Sequence, residues 1–299
     1  MITVLGSTNT DMVVKTPSFP RPGETLIGGE FFMFSGGKGA NQAVAAARMG
    51  AQVRFVSRVG NDIFGHRALE EFRKEGLDIT HVSVDNDRAS GTALILVNGE
   101  GENEIVVAPG SNGTLTEREV DAARDAIEHA GILLMQLEVP LSTILHAARM
   151  AHAKGVRVIL NPAPACALPE NLYSLLHVIT PNETEAEILT GIAVTDEHSQ
   201  RSAAKALLAK GVSHVILTLG SKGVYYTDDN VEIRIPAPKV DVVDTTSAGD
   251  VFNGVLALGL SRGDEWQKAL SIAVKAASIS VTRMGAQAGM PYAGEVSEG

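Results

Sequence analysis

Several polar clusters in this chain have the residue types and spacing to act on an anion. In Asp244-Thr245-Thr246-Ser247-Ala248-Gly249-Asp250, small residues gather just before the apolar run Val251, Phe252, Val255, Leu256, Leu258 and Leu260. That pattern reads as a loop passing into a helix, whose first N–H groups lack intrahelical acceptors. The N–H groups of Ser247, Ala248 and Gly249 are therefore candidates for cradling a phosphate-type anion. Asp250 falls in the first helical turn, where the helix dipole favours a carboxylate. A carboxylate beside an anion hole suggests a general base next to a phosphoryl group, although an ordinary acidic helix start has the same local pattern.

A second cluster, Ser35-Gly36-Gly37-Lys38-Gly39-Ala40-Asn41-Gln42-Ala43, superficially resembles a phosphate loop. It lacks the four-residue spacer and the Ser or Thr after the Gly-Lys pair, so it is not a Walker A motif. Gly36 and Gly37 allow close backbone approach, and Lys38 and Asn41 would project near the start of an Ala-rich helix over 41–49. Those donors suit a polyhydroxylated ligand. Further polar residues follow short apolar runs. Asn9 and Asp11 come after Ile2–Leu5, Gln136 and Glu138 after Ile132–Met135, and Asn161 after Val158–Leu160. Asn182-Glu183-Thr184-Glu185 follows Val178-Ile179, and the turn Gly220-Ser221-Lys222-Gly223 follows Val215–Leu219. In an open α/β sheet, ligands sit at the carboxyl ends of the strands. Asn182 and Glu185, three apart, could hold Mg²⁺ through water, as hard oxygen donors do; an acidic helix start explains the same residues.

The elements that must position these groups fall into two rhythms. Thr25–Ile27, Phe31–Phe34 and the hairpin Gly91–Val97/Glu104–Val107, turning at Asn98–Asn103, read as β segments of one small sheet. A strand at 53–57 and a helix at 64–74 follow strand and helical spacing. From residue 116 the pattern alternates: helix 117–128, strand 132–135, helix 141–153, strand 156–160, with a late hairpin at 224–226 and 231–235. Alternation of that kind predicts a doubly wound, largely parallel sheet.

Composition narrows the class. At 299 residues, 44% hydrophobic and 20% charged, the chain fits one large α/β unit. No run of about 18 apolar residues is present, and Met1–Gly6 lacks a basic n-region and a cleavage site, so the sequence predicts a cytoplasmic protein. The net charge of −10 argues against general nucleic-acid affinity, so an anionic ligand must be held locally by N–H groups or a metal ion. The single cysteine, Cys166, builds no disulfide framework, and the eight scattered histidines imply no metal site.

Taken together, three ordered motifs resemble the PfkB carbohydrate kinases: the glycine segment 36–43 with Gly50 and Gly60 beyond it, Asn182–Glu185, and Asp244–Asp250. The resemblance runs from Met1 to about Pro291. It implies a single domain over 1–299, a three-layer αβα sandwich with a small β-sheet lid from about 12–34 and 91–107. It implies that Asn9, Asp11, Gly37, Lys38, Asn41 and Glu138 bind sugar hydroxyls, and that Asp250 is the base beside the Ser247–Gly249 anion hole. Asn182, Thr218, Gly220, Ser221, Gly223, Ala248 and Gly249 would lie along ATP, with Glu185 serving Mg²⁺ through water. A K⁺ ion would be held by Asp244, Thr246, Ser280, Arg283, Gly285 and Gly289. Two positions depart from the pattern: Val255 replaces a small residue, and Gly289 stands where a serine is frequent. The implied reaction is ATP-dependent phosphorylation of the 5-hydroxyl of D-ribose by a homodimer paired through its lids. The alternatives are another sugar or a nucleoside, or a non-catalytic sugar-binding protein. A phosphorylated sugar is disfavoured, because the Asn9 and Asp11 end carries no Lys or Arg for a second phosphate.

Overall fold

The structure is a computed structural model that describes residues 1–228 and 230–297. The chain opens with β1 (Ile2–Leu5), β2 (Asn9–Lys15), β3 (Glu30–Gly36), α1 (Lys38–Arg48), β4 (Val53–Gly60), α2 (Ile63–Lys74) and β5 (Asp78–Asp85). The predicted hairpin follows as β6 (Gly91–Val97) and β7 (Asn103–Ala108), then α3 (Glu117–Ala122), α4 (Arg124–Glu128), β8 (Ile132–Met135) and α5 (Leu141–His152). Next come β9 (Arg157–Leu160), α6 (Glu170–Tyr173), β10 (Val178–Ile179), α7 (Glu183–Thr190), α8 (Glu197–Ala209), β11 (His214–Thr218), β12 (Val224–Thr227) and β13 (Glu232–Ile235). The long helices α9 (Ala248–Arg262) and α10 (Trp266–Ser280) and the short α11 (Ala286–Gly289) and α12 (Ala293–Ser297) complete it.

Nine strands form the main sheet in the order β13-β12-β11-β10-β9-β8-β1-β4-β5. From β11 to β5 all neighbours are parallel, and β12 and β13 close one edge as an antiparallel hairpin. Alternate side chains of each central strand feed two separate cores. Ile2, Val4, Ile132, Leu134 and Ile159 pack with α1, α2, α9 and α10. Leu5, Leu133, Met135, Val158 and Leu160 pack with the helices from α3 to α8. The fold is thus the expected three-layer sandwich, because strands buried on both faces need helices on both sides. Val255, the bulkier residue of the last motif, is buried in the first core.

The small sheet runs β3-β2-β6-β7. Asn9 and Asp11 therefore belong to a lid strand rather than to a loop leaving β1, with Asp11 opposite Phe34 on one side and Ala93 on the other. The expected β segment at Thr25–Ile27 is not formed. Gly28 and Gly29 have φ of 115° and 121°, which breaks the extended path, and Ile27 is 98% exposed with no strand beside it. The expected helix 117–128 is two short helices meeting at Ala123, the first held by a capping box between Thr116 and Glu119. The Ala-rich helix begins at Lys38, three residues before the expected Asn41.

Two glycines let the site elements meet. A Cβ on Gly39 would lie 2.5 Å from backbone atoms of Gly6 and Ser7, so α1 starts directly against the end of β1. A Cβ on Gly254 would lie 2.6 Å from the Gln42 carbonyl oxygen, so α9 crosses α1 at backbone contact. That crossing brings Asn41 and Gln42 to Asp250.

Candidate active site

The site lies at the carboxyl ends of β1, β8, β9, β10 and β11, as the doubly wound topology requires. Asp250 is 5% exposed, and both its oxygens accept side-chain amides: Oδ2 from Asn41 Nδ2 and Oδ1 from Gln42 Nε2, each at 3.0 Å. Asn41 Nδ2 also donates to Ser247 Oγ at 3.0 Å. Ser247 caps α9 with φ 64°, the one non-glycine residue in the left-handed region among the described residues. Such strain typically amounts to about 1–3 kcal/mol and clusters at functional sites. The expectation that Ser247, Ala248 and Gly249 all present unblocked N–H groups needs one correction. The Ala248 N–H points back to the Thr245 carbonyl at 3.3 Å, closing a turn. Helical bonding starts at Val251 to Ser247. Among the described residues the N–H groups without a backbone acceptor at the head of this helix are thus those of Ser247, Gly249 and Asp250.

Of the predicted sugar-contact residues, Asn41 bonds this carboxylate, and Asp11 and Lys38 lie near enough to feel both it and Glu138. Glu138 Oε2 accepts from the Lys38 backbone N–H at 2.9 Å and from Ser7 Oγ, so it caps α1 as well as facing the site. Gly37, at φ 88°, provides the bend into that helix, and a Cβ there would crowd the Asn9 N–H at 2.7 Å. Asn9 is 6% exposed, and its Oδ1 accepts from Asn112 Nδ2 at 2.7 Å. Asn112 also exchanges hydrogen bonds with both backbone groups of Thr8. Burial, together with the charges of Glu138 and Asp250, pushes the Asp11 carboxyl up to about 7, with Lys38 acting the other way. Burial works against the Lys38 ammonium, but Asp250, Glu138, Glu185 and Asp11 outweigh it and hold its pKa above the ordinary lysine value. The shared couplings set Asp11, Lys38, Glu138, Glu185 and Asp250 around one site.

Asn182 and Glu185 do not project from one helical face as a free pair. Asn182 is the N-cap of α7: its Oδ1 accepts the Glu185 N–H at 2.8 Å, and Glu185 Oε2 accepts the Asn182 N–H at 2.9 Å. This reciprocal box consumes one oxygen of each. Burial raises the Glu185 carboxyl above its ordinary value, against the Asn182 N–H and the Lys38 charge. Among the described residues no three His, Cys, Asp or Glu side chains converge as a metal site. Thr218 ends β11 beside Asn182, and exposed Gly220 and Ser221 continue as a 3₁₀ turn. Gly223 has a sufficient structural reason, since at φ 89° its Cβ would strike the Ile235 carbonyl oxygen at 1.9 Å.

Asp244 ties the loop before α9 to the segment after α10. Its Oδ1 accepts from the Thr246 N–H at 2.9 Å and from Thr246 Oγ1, and its Oδ2 accepts the Gly285 N–H at 2.9 Å. Burial opposes its charge, but these bonds prevail and hold the carboxyl below the usual range. A Cβ on Gly289 would stand 3.0 Å from the Ser280 carbonyl oxygen and 3.3 Å from that of Arg283. Those two carbonyls converge at Gly289, whereas the Arg283 guanidinium pairs with Glu295.

A carboxylate held by two amides at the head of a helix with free N–H groups, beside a small β sheet that carries Asn9 and Asp11, fits a kinase of small molecules. Residues 1–293 match the pfkB family carbohydrate kinases, and the chain belongs to that family. It is 46% identical over 297 residues to the ribokinase of Haemophilus influenzae, covering 99% of this chain and 97% of that one. It is 42% identical to the ribokinase of Staphylococcus aureus over 99% of this chain and 98% of that one. The structure of Arabidopsis thaliana ribokinase complexed with ribose and ATP superposes with a TM-score of 0.95 at 32% identity, covering 99% of this chain and 97% of that one.

Proposed function

We propose that this carbohydrate kinase transfers the γ-phosphoryl group of ATP to the 5-hydroxyl of D-ribose, giving ribose 5-phosphate and ADP. The observation that carries the reading is the ring of Asp11, Lys38, Asn41 and Glu138 about the buried Asp250 carboxylate. Full-length similarity to ribokinases supports ribose as the substrate. Phosphoryl transfer asks a protein chiefly for positioning and charge stabilisation. Asp250 takes the hydroxyl proton as the sugar oxygen bonds to phosphorus, the bond to the β-phosphate oxygen breaks, and ADP leaves with that electron pair. The free N–H groups at the head of α9 meet the charge on the migrating phosphoryl oxygens, each worth roughly 3 kcal/mol in a transition state. Asn182, Thr218, Gly220 and Ser221 lie along the nucleotide.

Mg²⁺, bound mainly by the phosphates, supplies charge neutralisation; the remaining Glu185 oxygen fits a water-mediated contact. K⁺ fits the converging Ser280 and Arg283 carbonyls beside Asp244, where it would stiffen the loop that aims the N–H groups. The lid supports pairing of two copies, because Ile105, Val106 and Val107 of its edge strand are 53%, 68% and 48% exposed. The test is ADP release in a coupled assay over a sugar panel. Ribose is expected to exceed 2-deoxyribose, fructose and adenosine in kcat/KM. Adenosine or fructose clearly ahead would overturn ribose as the substrate and leave the kinase class intact, while no turnover with any member would contradict catalysis itself.

A further inference from the structure

Asp250 is the end point of two chains of buried amides. On one side Gln136 Nε2 donates to Gln42 Oε1 at 2.6 Å, and Gln42 Nε2 donates to Asp250 Oδ1 and to Asn161 Oδ1, each at 3.0 Å. On the other, Gln287 Nε2 of α11 donates to Asn41 Oδ1 at 3.2 Å, and Asn41 Nδ2 donates to Asp250 Oδ2 and Ser247 Oγ. An ionised carboxylate only accepts, so both inner amides must turn their NH₂ groups toward it and their carbonyl oxygens away. Each of those oxygens then needs a donor, which Gln136 and Gln287 supply. The direction is retained even though it leaves Gln136 Oε1 buried with no partner, pressed against Gly6. Such an orphan is destabilising, so a structural role alone does not account for it.

We propose that Gln287 and Gln136 are positioning residues that set the polarity of the Asn41 and Gln42 amides, and thereby hold the Asp250 carboxylate in its acceptor orientation. The inference rests on the reading of Asp250 as the base. Gln287 gives the sharper handle, since it sits on a short helix beside a cavity of about 220 Å³ lined also by Arg48, Arg67, Glu71 and Glu75. Arg48 is already committed to Glu75 and to the Gln287 and Met290 carbonyls, and Arg67 bonds Glu71 through Nε.

A residue at 287 that can donate keeps Asn41 in place. One that can only accept turns the Asn41 amide round and aims its oxygen at Asp250. Activity should therefore rank Q287K above Q287M and Q287M above Q287E, with Q287M about 3–10-fold and Q287E roughly 100-fold below the parent in kcat at pH 8, all with unchanged KM for ATP. Lowering the pH protonates the carboxyl introduced by Q287E, makes it a donor, and should raise that variant toward the level of Q287K. Q287M should show no such recovery. Equal activity of Q287K and Q287E, or a Q287E loss independent of pH, would overturn the proposal. Thermal unfolding of each variant checks folding, and the Q287K/Q287M comparison decides the matter even where Q287E folds poorly. Asp250→Asn run alongside separates the two readings: if that variant is inactive while Q287K and Q287E match, only the positioning role fails.

Discussion

Replacing Asp11 by Asn should make the protein more stable and a poorer kinase. In the folded chain without sugar the Asp11 carboxyl is pushed from an ordinary 3.8 to about 7, first by burial and then by Glu138 and Asp250. The native state thus binds a proton more tightly than the unfolded state, and stability contributed by that proton is lost as pH rises from about 4 to about 7. The full interval corresponds to roughly 4 kcal/mol at 1.36 kcal/mol per pKa unit. Asp11 keeps some solvent contact, so about half of that, ~2 kcal/mol, is the reasonable expectation. An amide cannot ionise and escapes the penalty. For a chain of this length ~2 kcal/mol corresponds to a rise in Tm on the order of 3 °C. Thermal unfolding of both proteins from pH 4 to 8.5, without sugar, should show little difference near pH 4, a gap that opens to pH 7, and a constant gap above it. The same substitution should raise the KM for ribose by about 10-fold or more, because an acceptor for a hydroxyl has become partly a donor. A gap independent of pH, or a variant less stable than the parent at pH 8, would contradict the raised pKa of Asp11.

Asn112→Ala would strand the buried Thr8 N–H and Asn9 Oδ1; a loss of about 2 kcal/mol in urea unfolding and a raised ribose KM are expected. K⁺ should raise kcat in a titration of KCl at ionic strength held with a large organic cation, and Gly289→Ser should tighten the apparent affinity by placing an oxygen near the Ser280 and Arg283 carbonyls; a flat response would exclude the cation site. Sedimentation should find a dimer at micromolar concentration and a monomer for Val106→Lys on the exposed edge strand, whereas a fully active parent monomer would contradict lid pairing.

Much of this architecture was legible because it rests on local patterns. The hairpin at 91–108, the alternation after residue 116, the glycine segment before α1 and the small-residue run before α9 each combine periodicity with turn chemistry. Thr25–Ile27 misled because three apolar residues resemble a strand, while the decisive feature is the pair of positive-φ glycines that follows. The strand β5 and the helices α8 and α10 carry weaker signals, and their place depends on packing against the sheet. What sequence could not reveal is pairing across the chain. Gln42 stands inside a motif that draws attention, yet its tie to Asp250 spans 208 residues, and that of Gln287 to Asn41 spans 246. Asn112 sits in a short 3₁₀ turn, Gly110–Thr114, with no marked sequence signal, and only the fold brings it to Thr8 and Asn9. Glu138 was visible as a polar residue at a strand end, but its hold on the Lys38 N–H depends on how α1 abuts β1.

The proposed mechanism turns on Asp250 removing the proton from the sugar hydroxyl. That step is probed by the kcat of Asp250→Asn, measured beside calorimetric ribose binding to the same variant. A loss on the order of 10²–10⁴ in kcat with binding largely retained is expected, since an amide still hydrogen-bonds the hydroxyl but cannot accept its proton. Near-normal turnover in that variant would make Asp250 a helix-start carboxylate and nothing more.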